Sequence, residues 1–424
     1  MKIENSIYFI VTKSMNVMGG AELYAIRRAK YLEETYNCKV IFLLQESVEE
    51  KSFWKKELEA FNVIITEEMR NPILFYSKKY ISNITNNFLN EVNKKNIFFE
   101  THTIHLSIWA ELFAQKLKGL NVLYFLNDSS VKNKYGFYPT LSFFNYKLEN
   151  KEMIGLSKTL LSRIFKKNIE KEYNQYVNIA FSENELPLNS IFSKSKFNIK
   201  YKKKYDLVIG TVARLEKIYI RFMVEEVIKF SKEHKEAKIC LLIGGDTPNK
   251  SVQGFYDDMY FKNSKFKKMT SNLEIIHLGY IHPLGKDFFS SLDVFIGQGT
   301  AVINSISQRK STIVMEDRKL TNGFFGLDTD LFAYSNKPGT HDLKDLLKKI
   351  LKDRTYLKRT EVSGYNLFLN EYEEKACFKK FDNYISLIEA PSSYKIQFKQ
   401  RFRDFSLYFL LKQYRDLRTK LDKK

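Results

Sequence analysis

LDVFIGQGTAVINSISQRKSTIVM, residues 292–315, contains one complete repeat of an α/β pattern. The pattern predicts, in order, a buried strand, a Gly-x-Gly turn, a helix and a second apolar strand: 292–296, Gly297 to Gly299, 300–308 and 311–315. Backbone N–H groups and the positive end of a helix dipole meet at such a turn, which favours a phosphate or a network of sugar hydroxyls. The alternative is an ordinary crossover, in which the glycines only let the helix pack closely on the strand.

The length of the chain indicates how many domains it forms, and its charge indicates which partners it favours. Its 424 residues are too many for one ordinary core and suit two domains with an appendage. Lysine and arginine number 69 against 49 aspartates and glutamates, a net charge of +20. A surface that basic favours anionic lipid, nucleotide phosphates or nucleic acid, although a codon bias towards lysine and asparagine gives the same composition.

The cysteines and the hydropathy pattern indicate a cytoplasmic protein. Cys38, Cys240 and Cys377 are dispersed and odd in number, which favours a reducing compartment without a disulfide framework. The sequence has no CxxC motif or Cys/His cluster, so we expect no structural zinc. The apolar start of the chain is too short for a signal peptide, and no run approaches the roughly 20 apolar residues of a spanning helix.

The first half opens as a βαβ unit. A strand over 6–11 leads to a turn at Gly19 and Gly20, a helix and a strand over 39–44. Ligands in open α/β sheets lie beyond the carboxyl ends of the strands, so this turn is a candidate contact. Plain close packing of helix on strand is the alternative.

Two polar positions follow later strands of the first half. His102 comes after an expected strand over 97–100, and Asn127 follows the end of an expected strand over 122–125. Histidine is the usual general base near neutral pH, so His102 is a candidate catalytic residue. The alternative for His102 is a hydrogen-bonded structural role. A further strand over 177–182 is expected to close the first domain.

The second half repeats the βαβ pattern. Arg214 and Lys217 follow an expected strand over 207–212 and precede a helix over 221–234. Two cations at a strand-to-helix junction offset the growing negative charge of a diphosphate leaving group. A solvated basic turn is the alternative. Further strands, over 239–243 and 273–278, each lead into a glycine turn.

Across residues 7–388 the pattern resembles a GT-B glycosyltransferase, in particular family 4 (group 1). The resemblance rests on an ordered series of motifs: the Gly-Gly turn, IAFSE, GTVARLEK, LLIGGD, LGYI, LDVFIGQGT and STIVMED. It implies an α/β fold in which two Rossmann-like domains with parallel sheets face a cleft. The expected bounds are 1–203 for the acceptor domain, 204–365 for the nucleotide-sugar donor domain, 366–390 for a crossing-back helix and 391–424 for a basic amphipathic tail.

The resemblance also implies a set of site residues. Arg214 and Lys217 resemble the pair that holds the donor diphosphate, although their spacing is shorter than the usual Arg-x4-Lys. The remaining donor-binding candidates lie in glycine turns or on the helix that follows one: Gly19, Gly20, Gly279, Tyr280, Ile281, Gly297, Gln298, Gly299, Thr300 and Asn304. The resemblance implies no obligatory metal and no cofactor besides the nucleotide-sugar substrate. The DxD triplet at 328–330 lies too late in the chain to be the metal motif of the other large glycosyltransferase fold.

The sequence departs from the family at three positions. The two glutamates of the E-x7-E motif fall at Ile296 and Asn304, and the family histidine falls near Asn127, which makes Asn127 and His102 the remaining catalytic candidates. An apolar side chain cannot bind a sugar hydroxyl. An amide can, but without the strength of a charge-assisted hydrogen bond.

Two functions follow from the resemblance and its departures. The first is a retaining, hexosyltransferase-like enzyme that moves a sugar from a UDP- or GDP-sugar to a glycan or lipid-linked acceptor during surface glycan synthesis. The alternative is a catalytically degenerate protein that acts as the binding partner of another glycosyltransferase. The basic tail predicts peripheral contact with an anionic membrane surface, or packing on the body of the protein. Charge alone suggests nucleic acid, and since no recognition module is visible we expect none.

Overall fold

The computed structural model describes residues 2–16, 20–70, 82–84, 86, 96–124, 138–156, 175–183, 204–247, 249–261, 271–279, 281, 284–316, 320–330 and 339–388. Contacts divide the chain into two compact units. Residues 1–180 and the chain from Cys377 onward form the first unit, and residues 181–376 form the second. The domain bounds expected from the sequence stay predictions, because residues 184–203 and 389–424 fall outside the described ranges.

The first unit contains a six-stranded sheet in which every pair of neighbouring strands is parallel. Its strands are β1 (Ile7–Thr12), β2 (Lys39–Leu44), β3 (Asn62–Ile65), β4 (Ile97–Thr101), β5 (Leu120–Tyr124) and β6 (Met153–Ile154). The order across the sheet is β3-β2-β1-β4-β5-β6. Such an order arises when βαβ crossovers leave the central strand in both directions.

Helices cover this sheet. They are α1 (Gly20–Tyr36), the short α2 (Lys55–Leu58), α3 (Ile104–Leu117) and α4 (Tyr138–Glu149), with a 3₁₀ turn at Glu67–Arg70. Both faces of the sheet are buried, as a parallel sheet requires. Alternate residues of β1 show this, since Tyr8 and Ile10 belong to one apolar cluster while Phe9 and Val11 belong to another.

The second unit repeats the plan with one antiparallel edge strand. Its strands are β7 (Leu207–Val212), β8 (Ile239–Gly244), β9 (Leu273–Gly279), β10 (Val294–Gly297), β11 (Ser311–Met315) and β12 (Thr321–Phe324). The order is β12-β11-β10-β7-β8-β9, and β12 is antiparallel to β11. The described helices after β7 are α5 (Ile218–Glu233), α6 (Lys250–Tyr256) with a π-helical turn at Asp257–Phe261, α7 (Lys286–Ser290), α8 (Thr300–Ser307), α9 (Leu343–Lys352), α10 (Arg354–Glu371) and α11 (Glu374–Ser386).

Helix α9 illustrates why these segments fold as they do. Its buried residues, Leu343, Leu346, Leu347 and Ile350, recur at helical spacing, so one stripe of the helix lies in the core. The Asp342 side chain caps the N-terminus by accepting a hydrogen bond from the Lys344 N–H at 2.8 Å. No helix in the described part of the chain combines the length and the apolar character that crossing a membrane requires.

The strand expected over 177–182 does not form. Residues 177–180 and 182 belong to no strand, and Phe181 makes only an isolated bridge to Glu373. The Tyr124 hydroxyl donates to the Val177 carbonyl at 2.9 Å, and the Val177 N–H donates to the Gly155 carbonyl at 2.9 Å. The backbone N–H and carbonyl of Val177 are therefore satisfied by a side-chain hydroxyl and an isolated backbone hydrogen bond, without the continuous pairing of a β-sheet.

Candidate functional site

The centre of the second sheet contains a topological switch point. From β7 the chain crosses through α5 to β8 on one side, and from β10 it crosses through α8 to β11 on the other. β7 and β10 are hydrogen-bonded neighbours, with Val294 beside Ile209 and Phe295 beside Gly210. The loops that leave these two strands diverge at the carboxyl edge, and ligands of open α/β sheets bind in the crevice that this divergence opens.

Arg214 and Lys217 lie in the loop that leaves β7. The Lys217 N–H donates to the Arg214 carbonyl at 3.0 Å, which makes a tight turn, and Lys217 is the residue that caps α5. Arg214 is exposed and Lys217 is half-buried. Among the residues that the structure describes, the Arg214 guanidinium makes no ion pair, so an anion can bind it without displacing a carboxylate.

The loop that leaves β10 places a glycine at the N-cap of the next helix. Gly299 caps α8 with φ 70° and ψ −146°, a conformation open essentially only to glycine. A Cβ added there would meet no atom within 4 Å, so the backbone angles, not crowding, require a glycine. Gln298 and Gly299 are half-buried and Thr300 is exposed, at the positive end of the eight-residue helix α8. The structure thus brings Gly297, Gln298, Gly299 and Thr300 to the same switch point as Arg214 and Lys217.

Backbone hydrogen bonds connect the β7, β8 and β9 loops. The Ala213 N–H donates to the Gly244 carbonyl at 3.0 Å, and the Gly245 N–H donates to the Gly279 carbonyl at 2.7 Å. Gly245 has φ 130°, and a Cβ there would lie 1.8 Å from the Ala213 carbonyl oxygen, so only glycine fits. Gly279 is therefore tied to the Arg214 turn through the β8 loop. Ile281 is buried against Gly244, where a Cβ would meet its Cδ1 at 2.8 Å.

The two positions that replace the family glutamates differ in their surroundings. Ile296 is fully buried on β10, inside the apolar core of the second unit. Asn304 is half-buried on α8, one helical turn after Thr300, and on the same helix that begins at the glycine turn. Ile296 therefore exposes no atom to a ligand, whereas Asn304 is partly exposed on the helix that begins at the glycine turn.

Three of the sequence candidates, Gly19, Asn127 and Tyr280, lie outside the described residues. The basic tail over 391–424 also lies outside them. Gly20 is the first residue of α1, the helix that follows β1 in the chain.

The first sheet has a switch point of its own, between β1 and β4. From β1 the chain continues through α1 to β2, and from β4 it continues through α3 to β5, on the opposite side. In the β1–β4 ladder Val11 lies beside Thr101, and His102 comes directly after β4. His102 and the residues that follow β1 thus leave neighbouring strands at the carboxyl edge.

His102 is held by a buried carboxylate on the same strand. Its Nε2 lies at hydrogen-bond distance, 3.1 Å, from Glu100 Oε1, while only 5% of the side chain is exposed. Glu100 is fully buried and also accepts hydrogen bonds from Tyr8, Tyr24 and Arg28. Burial alone would raise the pKa of Glu100, but the hydrogen bond to His102 and the charge of Arg28 outweigh it and lower that pKa to about 2.

The sequence interpretation named His102 and missed Glu100. A signal was present: Glu100 is a charged residue inside the apolar strand NIFFET, and it stands two positions before His102. Alternate residues of a strand share a face, so a buried Glu at i and a His at i+2 are natural partners. Tyr24 packs its ring in the apolar core and donates its hydroxyl to Glu100 Oε1 at 2.7 Å, a contact that the apolar pattern of α1 does not reveal.

The two aspartates of the DxD triplet, Asp328 and Asp330, make hydrogen bonds that hold the local fold. Asp328 Oδ2 accepts a hydrogen bond from the Phe324 N–H at 2.8 Å, and the Asp330 carbonyl accepts one from the Tyr372 hydroxyl at 3.3 Å. Both contacts hold the turn that follows β12. In the described ranges, no three His, Cys, Asp or Glu side chains are grouped closely enough to hold a metal ion.

Comparison with solved structures defines the architecture. HepE from Anabaena, in a complex with UDP, matches with a TM-score of 0.59 at 12% identity, over 90% of this chain and 99% of that one. A glycosyltransferase from Rickettsia africae matches with a TM-score of 0.58 at 15% identity, over 91% and 99%. The chain has the GT-B fold. The lipopolysaccharide outer core galactosyltransferase WaaB matches as well, with a TM-score of 0.56 at 12% identity over 90% and 99%. No protein-family model and no curated protein sequence matches the chain.

Proposed function

We propose that this protein is a glycosyltransferase that moves a sugar from a nucleotide sugar to a glycan or lipid-linked acceptor. The observation that supports this best is the switch point of the second sheet, where the Arg214 turn and the Gly297–Thr300 turn leave neighbouring strands. The solved structures of similar fold support the same substrate class. HepE was crystallised with UDP, with UDP and glucose, and with UDP-glucose, and WaaB is named a galactosyltransferase.

In this proposal Arg214 and Lys217 hold the diphosphate of the donor. Negative charge grows on the diphosphate as its bond to the sugar breaks, and a guanidinium that is already in place lowers the free energy of that transition state. The N–H groups of Gly297, at the end of β10, and of Gln298, Gly299 and Thr300, which lead into α8, bind the donor sugar or its phosphate. Gly279, Tyr280 and Ile281 contact the base.

Asn304 binds ribose hydroxyls, because an amide both donates and accepts hydrogen bonds. In the first domain, Gly19 and Gly20 approach the donor phosphate and the acceptor, and His102 and Asn127 are the catalytic candidates. We propose transfer of a hexose with retention of configuration and without an obligatory metal, as the resemblance to family 4 implies. The acceptor belongs to a surface glycan, and the basic tail binds the anionic inner face of a membrane.

The test is incubation of the purified full-length chain with UDP-glucose, UDP-galactose and GDP-mannose, each with and without lipid-linked sugar acceptors. We expect acceptor-dependent release of nucleotide from at least one donor. A folded protein that neither releases nucleotide from any donor nor binds one would contradict the proposal. Excess EDTA, added to the active combination, tests whether a metal is needed.

A second function is supported by Ile296, which is apolar and fully buried where the family has its first glutamate. A transferase without that carboxylate can bind a donor and fail to turn it over. The protein would then be the binding partner of another glycosyltransferase. Donor binding measured by calorimetry without turnover, together with co-purification of a second glycosyltransferase, would favour this alternative over catalysis.

A further inference from the structure

We propose that Glu100 is a positioning residue that fixes the tautomer of His102, so that the Nδ1 lone pair accepts a hydrogen bond from a sugar hydroxyl. This inference rests on the proposed function for the identity of the hydroxyl. The orientation of the imidazole, however, can be measured independently of any sugar transfer.

The Glu100 carboxylate accepts four hydrogen bonds, two on each oxygen. Oε1 accepts from the Tyr24 hydroxyl at 2.7 Å and from His102 Nε2 at 3.1 Å. Oε2 accepts from the Tyr8 hydroxyl at 2.7 Å and from Arg28 Nε at 3.2 Å. An ionised carboxylate has about four acceptor positions, so the four donors saturate it. No lone pair of Glu100 is left to bind a substrate directly.

The charge of Glu100 determines which nitrogen of His102 carries the proton. An ionised carboxylate can only accept, so His102 Nε2 must be the N–H that faces it. Burial opposes ionisation, but His102 and Arg28 lower the pKa of Glu100 to about 2, so it is charged throughout the neutral range. The neutral imidazole then has its lone pair on Nδ1, on the other side of the ring.

His102 Nδ1 is buried and has no hydrogen-bond partner among the described residues. The groups packed against the ring are Tyr24 and Tyr124, whose ring centroids lie 5.3 and 6.2 Å away, and the Glu100 carboxylate. Both tyrosine hydroxyls donate elsewhere, to Glu100 and to the Val177 carbonyl. A buried acceptor without a donor is unfavourable, and functional sites are where folded proteins tolerate one.

The position of His102 points to a ligand as the missing donor. The residue directly follows β4 at the switch point of the first sheet, where ligands of this architecture bind. A sugar hydroxyl is a neutral donor that matches a neutral imidazole lone pair. A phosphate oxygen would not match this lone pair, because it is itself a hydrogen-bond acceptor and would favour the protonated imidazole ring.

The first measurement is ¹⁵N NMR of the full chain with labelled histidine, in which the His102 signals are assigned through a His102→Asn variant. We expect the Nε2–H tautomer in the wild type. In a Glu100→Gln variant the amide has one acceptor oxygen for four donors, so we expect a mixture of tautomers. Titration of the wild type with UDP-glucose plus the active acceptor should shift the Nδ1 resonance. A wild-type Nδ1–H tautomer, or Nδ1 signals unchanged at saturating ligand, would overturn the inference.

The second measurement is steady-state kinetics with a matched control. Glu100→Gln should lower kcat by about 10- to 100-fold, the range seen when carboxylates that orient metal-binding histidines are removed. Tyr8→Phe removes the 2.7 Å hydrogen bond from the other carboxylate oxygen and leaves the His102 contact in place, so its kcat should stay within about twofold of the wild type. Glu100→Asp, which keeps the charge, should recover part of the loss.

The combined variants separate positioning from a merely structural role. If Glu100 acts through His102, then Glu100→Gln should add little to the loss already caused by His102→Ala. Equal kcat for Glu100→Gln and Tyr8→Phe, or fully additive losses, would contradict the inference. If the protein transfers no sugar from any donor, the proposed function is wrong. If UDP-glucose also leaves the Nδ1 resonance unshifted, the proposed hydrogen bond between a sugar hydroxyl and Nδ1 is wrong as well. The ¹⁵N signals would still show whether Glu100 sets the tautomer.

Discussion

The Arg28 guanidinium, fully buried on α1, forms an ion pair with the Asp382 carboxylate on α11, 354 positions further along the chain. Arg28 also donates to Glu100 and lies within 4.7 Å of the centroid of the Phe381 ring. Glu100 in turn binds His102. One continuous set of buried contacts therefore runs from the candidate histidine at the end of β4 to the helix that brings the chain back into the first unit.

Removing one member of the buried pair should strongly destabilise the first unit. Asp382→Asn leaves the Arg28 charge only partly neutralised in a low-dielectric interior, and we expect a loss of about 3–5 kcal/mol in the free energy of unfolding. Lys30→Gln is the matched control on the same helix, since Lys30 pairs with Glu57 at the surface and such pairs contribute about 0–1 kcal/mol. Urea unfolding, monitored by tryptophan fluorescence, measures both. Equal losses for the two variants would contradict the prediction.

Glu100 should make the stability of the first unit depend on pH. Its pKa is lowered to about 2 in the folded state from an ordinary value of 4.5. The ionised form is therefore stabilised by folding. This contribution is present above pH 4.5 and is lost as the pH falls towards 2, and the shift corresponds to about 3 kcal/mol. Unfolding free energies between pH 6 and pH 3 should fall more steeply for the wild type than for Glu100→Gln. If the free energy of unfolding falls equally steeply with pH in both proteins, Glu100 is not the cause of the pH dependence.

Arg214→Ala should weaken the proposed reaction. Hydrogen bonds to charged groups contribute about 1.5–3 kcal/mol, which corresponds to a loss of about 10- to 100-fold in kcat/KM for the active donor. Arg221→Ala is the control, because Arg221 is an exposed arginine on α5 whose partner is Glu225. Its kcat/KM should stay near that of the wild type. A similar decrease for both variants would indicate a general effect of surface charge.

Gly299→Ala tests the backbone of the turn before α8. Alanine is strained at φ 70° and ψ −146°, so we expect a loss of about 1–3 kcal/mol in stability and weaker donor binding. Gly254→Ala is the matched control, because Gly254 lies inside α6, has an ordinary φ, and a Cβ added there would meet no atom within 4 Å. There alanine should be neutral or stabilising by about 0.5–1 kcal/mol. Thermal unfolding and calorimetry compare the two. If Gly299→Ala leaves both the stability and the donor affinity unchanged, the backbone angles at position 299 do not require a glycine.

The sequence predicted best where a strand is buried along its whole length or where a glycine turn precedes a helix. The strand over 311–315 is observed as β11 with the same bounds, and the glycine turn before α8 is where the pattern placed it. Periodicity failed for the segment over 177–182, because its backbone is satisfied by the Tyr124 hydroxyl and by isolated bridges, which local pattern does not encode. Glu100 was missed for a similar reason. Its partners come from β1 and α1, and such long-range contacts are visible only once the chain is folded.

Asn304 offers a test of the departure from the family motif. If its amide binds ribose hydroxyls, Asn304→Glu restores a carboxylate, and charge-assisted hydrogen bonds are roughly twice as strong as neutral ones. We expect donor affinity to rise by about fivefold, which corresponds to about 1 kcal/mol. Asn304→Gln is the control, because glutamine has the length of glutamate without its charge, and it should bind no tighter than the wild type.

The two proposed functions predict different kinetic consequences of that gain in affinity. In an active transferase, tighter ribose binding lowers KM with little change in kcat, since the contact is the same in the ground state and the transition state. In a degenerate binding partner, Asn304→Glu raises affinity and turnover stays absent, because Ile296 remains apolar and buried on β10. Calorimetry and nucleotide-release assays on the same preparation separate these outcomes. A carboxylate at 304 that weakens donor binding would show that Asn304 faces the phosphates and does not contact the ribose.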